Sequence, residues 1–189
     1  MRTYKAVVIG TSSGGLAALS TVLAPLPKDF PLPLLIVQHL SPESDNFLIQ
    51  HLNRNSRLHV KEADDKDVPA KGWVYVAPPN YHMLMEEEGF LSLAVSPPEH
   101  YSRPSIDVLF ETAADAYTSG LIGIILTGAN EDGTKGAIRI KKRKGLVIAQ
   151  SPETADAATM PRSVINSKSV DIILPLDQIG KYLNNLISG

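Results

Sequence analysis

Three short segments are apolar at nearly every position, and they constrain the fold more than any other feature of the chain. They lie at residues 34–37, 121–126 and 146–149. A strand with apolar side chains on both faces must be covered on both sides, which is typical of a parallel sheet between helical layers. Segments with helical periodicity, such as 15–26 and 43–53, alternate with these strands. The pattern predicts a doubly wound, mostly parallel α/β sheet with helices on both faces, a Rossmann-like three-layer fold.

The region between residues 82 and 95 interrupts this alternation. Two short apolar stretches flank the turn-like sequence EEEG at 86–89, so we expect a β-hairpin there. The chain has 189 residues and contains no internal repeat and no long linker. This predicts a single domain over residues 1–189.

Composition excludes several classes of protein and site. There is no cysteine, which rules out disulfides, thiolate nucleophiles and cysteine metal sites. The net charge of −2 provides no basic footprint for nucleic acid. No apolar run reaches the length of a membrane span, and no spacing of histidines and carboxylates suggests a metal site. We therefore expect a cytoplasmic protein, monomeric by default, without a cofactor and without direct membrane insertion.

Chemically useful side chains follow three of the predicted strands. Ser12 comes after the first strand, His39 after the second, and Asp132 after the strand at 121–126. Because ligands bind at the carboxyl ends of strands in an open α/β sheet, these side chains are expected to meet at one edge. A serine needs a base to take its proton, histidine titrates near neutrality, and a carboxylate holds the imidazole tautomer. The three residues thus predict a serine hydrolase triad.

The order of the three residues and the turn around Ser12 leave alternatives open. The order Ser-His-Asp differs from the Ser-acid-His order of the α/β-hydrolases. Residues 10–14 read G-x-S-x-G, which also fits a tight turn or a phosphate-binding loop. Asp132 could instead cap a helix that begins at Thr134. A phosphate- or nucleotide-binding α/β module is therefore an alternative, although no Gly-Lys-Ser/Thr motif follows the glycines and the second strand ends in Gln38-His39.

Blocks of sequence around these residues resemble the catalytic domain of the chemotaxis protein-glutamate methylesterases. The resemblance covers nearly the whole chain and rests on IGTSSGG, VQHL, VYVAP, His82-Met83, RPSIDVLF, ILTG, Asp132-Gly133 and MPR. It implies that Ser12 is the nucleophile, His39 the base and Asp132 the acid. The implied reaction is hydrolysis of γ-glutamyl methyl esters on the cytoplasmic domains of methyl-accepting chemoreceptors, which releases methanol. The family also deamidates certain receptor glutamines.

The chain departs from the family pattern in two ways. Ala129 and Asn130 stand where the family usually has methionine and glycine. Ala129 can still offer the backbone N–H expected in an oxyanion hole, whereas Asn130 is strained if that position needs a positive φ. Regulated members also carry an N-terminal receiver domain, while the first strand here lies within the first ten residues. We therefore expect a stand-alone or excised catalytic domain, with a separate receiver protein or a receptor-associated kinase as candidate regulatory partners. A catalytically impaired receptor-docking protein is the other alternative.

Six further residues are candidates for the oxyanion hole or the substrate cleft: Ser13, Gly14, His82, Arg103, Ala129 and Met160. Ser13 could bond near the imidazole or cap the following helix, and capping is the preferred interpretation. His82 could line the cleft or serve packing. Arg103 could attract the acidic receptor segment or form a salt bridge, and Met160 could belong to the core or to the cleft wall.

Overall fold

The computed structural model describes residues 3–39, 46–99 and 101–188. Its strands are β1 (Ala6–Thr11), β2 (Leu34–Gln38), β3 (His59–Glu62), β4 (Trp73–Val76), β5 (His82–Met85), β6 (Leu91–Ala94), β7 (Leu121–Ile125), β8 (Leu146–Gln150) and β9 (Ile172–Leu174). Its helices are α1 (Gly15–Leu23), α2 (Phe47–Asn55), α3 (Ile106–Tyr117), α4 (Thr134–Lys142), α5 (Thr159–Asn166) and α6 (Leu176–Ser188).

Seven strands form one parallel sheet in the order β3-β4-β2-β1-β7-β8-β9. Strand β1 lies at the centre, between β2 and β7. After β1 the chain adds β2, β3 and β4 on one side of it, with β4 inserted between β2 and the edge strand β3. It then returns to β7 on the other side of β1, so the strand order reverses beside β1. The predicted doubly wound parallel sheet is confirmed. The predicted hairpin is confirmed as well, because β5 and β6 pair antiparallel in a second, two-stranded sheet.

The sheet separates two apolar cores. Val7 and Ile9 of β1 face a core that includes residues of α1 and α6. The alternate residues Ala6 and Val8 face a second core that includes residues of α3, α4 and the hairpin. All four side chains are buried, which explains why the central strands are apolar at every position.

Element boundaries differ from expectation where proline intervenes. Helix α1 ends at Leu23 rather than at residue 26, because Pro25 has no backbone N–H with which to continue the helical hydrogen bonds. The predicted start of the helix at 43–53 lies outside the described residues; α2 is described from Phe47 to Asn55. Within the described ranges, no helix combines the length and apolar character that crossing a membrane requires.

Candidate active site

The register of the sheet brings Ser12 and His39 side by side. Thr11 of β1 pairs with Gln38 of β2, and Ser12 and His39 are the next residue of each strand. The Ser12 N–H donates to the Thr127 carbonyl at 2.9 Å, and the His39 N–H donates to the Thr11 carbonyl at 3.1 Å. The carboxyl ends of β1, β2 and β7 therefore converge, as the sequence predicts.

A tight turn presents Ser12. The Gly15 N–H donates to the Ser12 carbonyl at 2.9 Å, and Gly14 has φ 80 and ψ 1. These angles are those of the third position of a type II turn, which favours glycine. Gly14 is also the N-cap residue of α1, and no side chain makes a cap hydrogen bond there. The interpretation of Ser13 as the helix cap is therefore wrong; its side chain is exposed.

Polar side chains at the strand ends pin this turn in place. The Thr127 hydroxyl donates to the Ser13 carbonyl at 2.8 Å, and the Thr11 hydroxyl donates to the Thr127 carbonyl at 2.8 Å. The Gln38 amide donates to the Ser12 carbonyl at 2.9 Å. Sequence reasoning assigned no role to these three side chains. In the sequence, each of the three is the first polar residue after the apolar positions of its strand, and this pattern could have identified them.

Asp132 is fully buried and lies against the imidazole. Its Oδ2 is 2.8 Å from His39 Nε2 and also accepts the Ile106 N–H at 2.7 Å. Its Oδ1 accepts the Ser105 hydroxyl at 2.9 Å and the Asp107 N–H at 3.0 Å. A carboxylate offers about four acceptor positions, so these four donors satisfy it completely.

Asp132 therefore caps a helix, but a different one from the one that the sequence suggests. The N-cap residue of α4 is Gly133, without a side-chain cap hydrogen bond. The Asp132 carboxylate instead binds the first N–H groups of α3, where the helix dipole favours negative charge. The interpretation of Asp132 as a cap for the helix at Thr134 is thus wrong, and α3 provides much of the electrostatic support for the acid.

These donors decide the charge of Asp132. Burial alone would raise its pKa, but the hydrogen bond from His39 and those from the N–H groups of Asp107 and Ile106 outweigh burial and lower it. The group is therefore ionised at neutral pH. Since a carboxylate only accepts hydrogen bonds, Nε2 of His39 carries a proton, and the neutral ring then has its lone pair on Nδ1. Among the described residues the Ser12 hydroxyl has no hydrogen-bond partner of its own.

A groove of about 180 Å³ reaches His39. Its lining residues are His39, Asn80, Pro98, Tyr101, Ser102, Arg103 and Pro104. Asn80 and Tyr101 have positive φ values of 65 and 62, a conformation that costs free energy in a bulky residue such as tyrosine. Arg103 donates through Nη1 to the carbonyls of Val95 and Ser96 at 3.0 and 3.1 Å, which holds the neighbouring loop.

The other candidate residues take different positions. His82 is fully buried, and both of its ring nitrogens are hydrogen-bonded. Met160 is also fully buried and packs so closely on Gly128 that a Cβ there would lie 2.5 Å from the Met160 methyl carbon. Ala129 is exposed, and within the described ranges the backbone N–H groups of Ser13 and Ala129 donate no hydrogen bond. Asn130 is not among the residues with positive φ, so the expected strain is absent.

Within the part of the chain that the structure describes, no group of three or more His, Asp or Glu side chains is placed to hold a metal ion.

Comparison with known proteins shows the family of the chain. The family model described as CheB methylesterase matches residues 7–183. The chain belongs to the CheB methylesterase family. The family resemblance predicted from the sequence is thereby confirmed.

Relatives of known name and structure agree with this membership. The protein-glutamate methylesterase/protein-glutamine glutaminase of Thermotoga maritima is 39% identical over 186 residues, which cover 97% of this chain and 54% of that protein. A relative from Leptospira interrogans is 47% identical over 183 residues, 97% of this chain and 95% of its own length. The crystal structure of the Thermotoga maritima CheB methylesterase catalytic domain matches with a TM-score of 0.94 and 39% identity, covering 98% of this chain and 100% of that one. The chain thus spans nearly all of one relative and about half of another.

Proposed function

We propose that this chain hydrolyses γ-glutamyl methyl esters on the cytoplasmic domains of chemoreceptors and deamidates glutamines at equivalent positions. The observation that carries the proposal is the contact of His39 with the fully buried, fully hydrogen-bonded Asp132. His39 lies one residue beyond the end of β2, beside the end of β1. Family membership supplies the reaction class.

The proposed reaction uses the three side chains in turn. Ser12 Oγ attacks the ester carbonyl and transfers its proton to the lone pair on His39 Nδ1, while Asp132 stabilises the imidazolium that forms. The proton then passes from His39 to the departing methoxide, so methanol leaves and an acyl-enzyme remains on Ser12. Water attacks the acyl-enzyme with His39 again acting as base, which yields the glutamate and restores Ser12. Ammonia replaces methanol when the substrate is a glutamine.

The tetrahedral intermediate requires donors for its oxyanion. The Ser13 and Ala129 N–H groups make no hydrogen bond within the described ranges. Backbone hydrogen bonds hold the residues next to them in place. The Thr127 hydroxyl joins the two chain segments by donating to the Ser13 carbonyl. Donors that are held in place before the reaction stabilise developing charge without reorganisation. We assign the oxyanion hole to these two N–H groups, with Gly14 permitting the turn.

The groove next to His39 is the proposed substrate site. Two lining residues, Asn80 and Tyr101, are held at positive φ, and such residues cluster at binding sites. The positive charge of Arg103 lines the same groove and suits an acidic receptor segment. Neither His82 nor Met160 is placed to touch substrate, since both are fully buried; they support the site from behind.

The phosphate-binding alternative conflicts with the packing over the glycine turn. A Cβ built on Gly14 would lie 2.4 Å from a carboxylate oxygen of Asp156. The Asp156 side chain therefore occupies the space over Gly14 that a bound phosphate would need.

Methanol release from methylated receptor membranes tests the proposal. We expect release by the wild-type chain and none above background by Ser12→Ala, which should fold normally because the residue is small and lies on a turn. Ser151→Ala is the matched control, because Ser151 directly follows β8 at the same edge of the sheet and should keep full activity. Equal release by wild type and Ser12→Ala would contradict the proposal.

A further inference from the structure

The buried side chain of His82 lies between the groove and the catalytic acid. His82 is the first residue of β5 and has no exposed surface. Its Nε2 is 3.0 Å from the Pro97 carbonyl, and its Nδ1 accepts the Ser105 N–H at 3.1 Å. A carbonyl only accepts and an N–H only donates, so the proton must be on Nε2 and the lone pair on Nδ1. The ring is thus held as a single neutral tautomer.

Each partner of His82 leads to a different part of the site. Ser105 donates its hydroxyl to Asp132 Oδ1 at 2.9 Å, and Asp132 in turn contacts His39. On the other side, Pro97 precedes Pro98, which lines the groove. Arg103 holds the same loop through the Val95 and Ser96 carbonyls. A continuous chain of hydrogen bonds therefore runs from the groove wall through His82 to the acid.

We propose that His82 is a positioning residue that fixes the groove wall and Asp132 relative to each other. The inference rests on the proposed hydrolase function. His82 does not touch substrate; it acts through Ser105 on the acid and through Pro97 on the wall. Histidine suits this role because its ring places an acceptor and a donor on opposite sides at fixed separation. The acceptor orients the start of α3, which binds Asp132, and the donor orients the loop at 95–98.

Two substitutions separate the two contacts. The side-chain oxygen of asparagine lies near the position of Nδ1, so His82→Asn keeps an acceptor for the Ser105 N–H and loses the bond to Pro97. The side-chain amide nitrogen of glutamine lies near the position of Nε2, so His82→Gln keeps a donor for Pro97 and leaves Ser105 without an acceptor. A net loss of one such bond is worth up to about tenfold in an equilibrium or rate.

The experiment measures methanol release from methylated receptor membranes together with amide hydrogen exchange at Ser105. We expect His82→Asn to raise KM about tenfold with kcat nearly unchanged, and to keep the Ser105 amide protected. His82→Gln should lower kcat about tenfold with KM nearly unchanged, and should lose that protection. His51→Gln is the control, since His51 lies on α2 and bonds Ser20 away from the site; it should match wild type in all three quantities.

Several results would overturn the inference. Equal kcat and KM for both folded variants and wild type would mean that neither contact reaches the site. Equal losses in both variants would mean that His82 supports stability alone. If one variant does not fold, Ser105→Ala replaces it, because it removes only the bond to Asp132; unchanged kcat in that variant overturns the link to the acid. Absence of Ser12-dependent release by wild type overturns the proposed function instead, while the Ser105 exchange pattern still decides the two contacts.

Discussion

Helix α3 meets a carboxylate near each end, and the two ends differ in their access to water. At the N-terminal end, Asp132 is fully buried and takes four hydrogen bonds from His39, Ser105, Ile106 and Asp107. Near the C-terminal end, Asp115 of α3 itself accepts bonds from Arg139 and Arg143, and 29% of its side chain is exposed.

Both carboxylates have a lowered pKa, but for different reasons. For Asp115 the hydrogen bond from Arg139 is the largest cause, and burial opposes it only in part. For Asp132 burial is the largest influence and acts against ionisation, so the donors around it must overcome that cost. Water can replace a lost partner at Asp115, whereas nothing replaces one at Asp132. The same charge is therefore a minor surface feature at one end of α3 and a structural requirement of the site at the other.

Replacement of the base should cause the largest loss of activity. His39→Gln removes the proton acceptor for Ser12, and loss of the triad histidine costs on the order of 10⁶ in kcat in a serine protease. The glutamine amide can still donate to Asp132, so the free energy of unfolding should stay within about 0.5 kcal/mol of wild type. Methanol release and urea unfolding measure the two quantities. A rate similar to wild type would remove His39 from the mechanism.

Replacement of the acid should affect both activity and stability. Either orientation of the amide in Asp132→Asn turns its NH₂ group toward a backbone N–H of α3, at Ile106 or at Asp107. We expect kcat to fall on the order of 10⁴, as in a protease triad, and the free energy of unfolding to fall by about 1–3 kcal/mol. A loss of only a few fold in kcat with a large loss of stability would make Asp132 a helix cap and no more.

The stabilising effect of Asp132 should depend on pH. Its pKa is lowered in the folded protein, so the unfolded state binds the proton first, near its ordinary value of about 3.9. The stability difference between wild type and Asp132→Asn should be complete above about pH 5 and should shrink as pH falls through the folded-state pKa. Urea unfolding at a series of pH values measures it. A difference that grows on acidification has the wrong sign for this account.

Replacement of the carboxylate at the other end should have the smallest effect. Asp115→Asn loses ion pairs that are partly exposed and screened by solvent, which are worth about 0.2–1 kcal/mol. We expect kcat and KM to match wild type. A loss in kcat comparable to that of Asp132→Asn would show that the two ends of α3 are not as different as their burial indicates.

The parts that the sequence predicts well depend on local patterns. Strands apolar on both faces indicate the buried parallel sheet, and strand ends indicate where Ser12 and His39 lie. The helix α4 begins at the predicted residue, Thr134, since its apolar positions repeat with helical period. Family membership follows from short sequence blocks in a fixed order.

The parts that escape prediction depend on contacts between distant segments. Nothing near Asp132 in the sequence shows that its partners are Ser105, Ile106 and Asp107, about 25 residues earlier. The side chain of His82 forms hydrogen bonds with Pro97 and Ser105, which both lie between β6 and α3. Its role can therefore be seen only in the fold. Ser13 carries the usual signal of a helix cap, but the turn that presents Ser12 requires φ 80 at Gly14, and this moves the cap position to the glycine.

Labelling with a fluorophosphonate, followed by peptide mass spectrometry, tests the central claim most directly, because the reagent reports an activated serine without any receptor. The account predicts a single adduct on Ser12 of wild type and of Asp115→Asn, much slower labelling of Asp132→Asn, and none of Ser12→Ala. Failure of folded wild type to label, or labelling of Asp132→Asn at the wild-type rate, would contradict the claim that the buried carboxylate at the start of α3 activates Ser12 through His39.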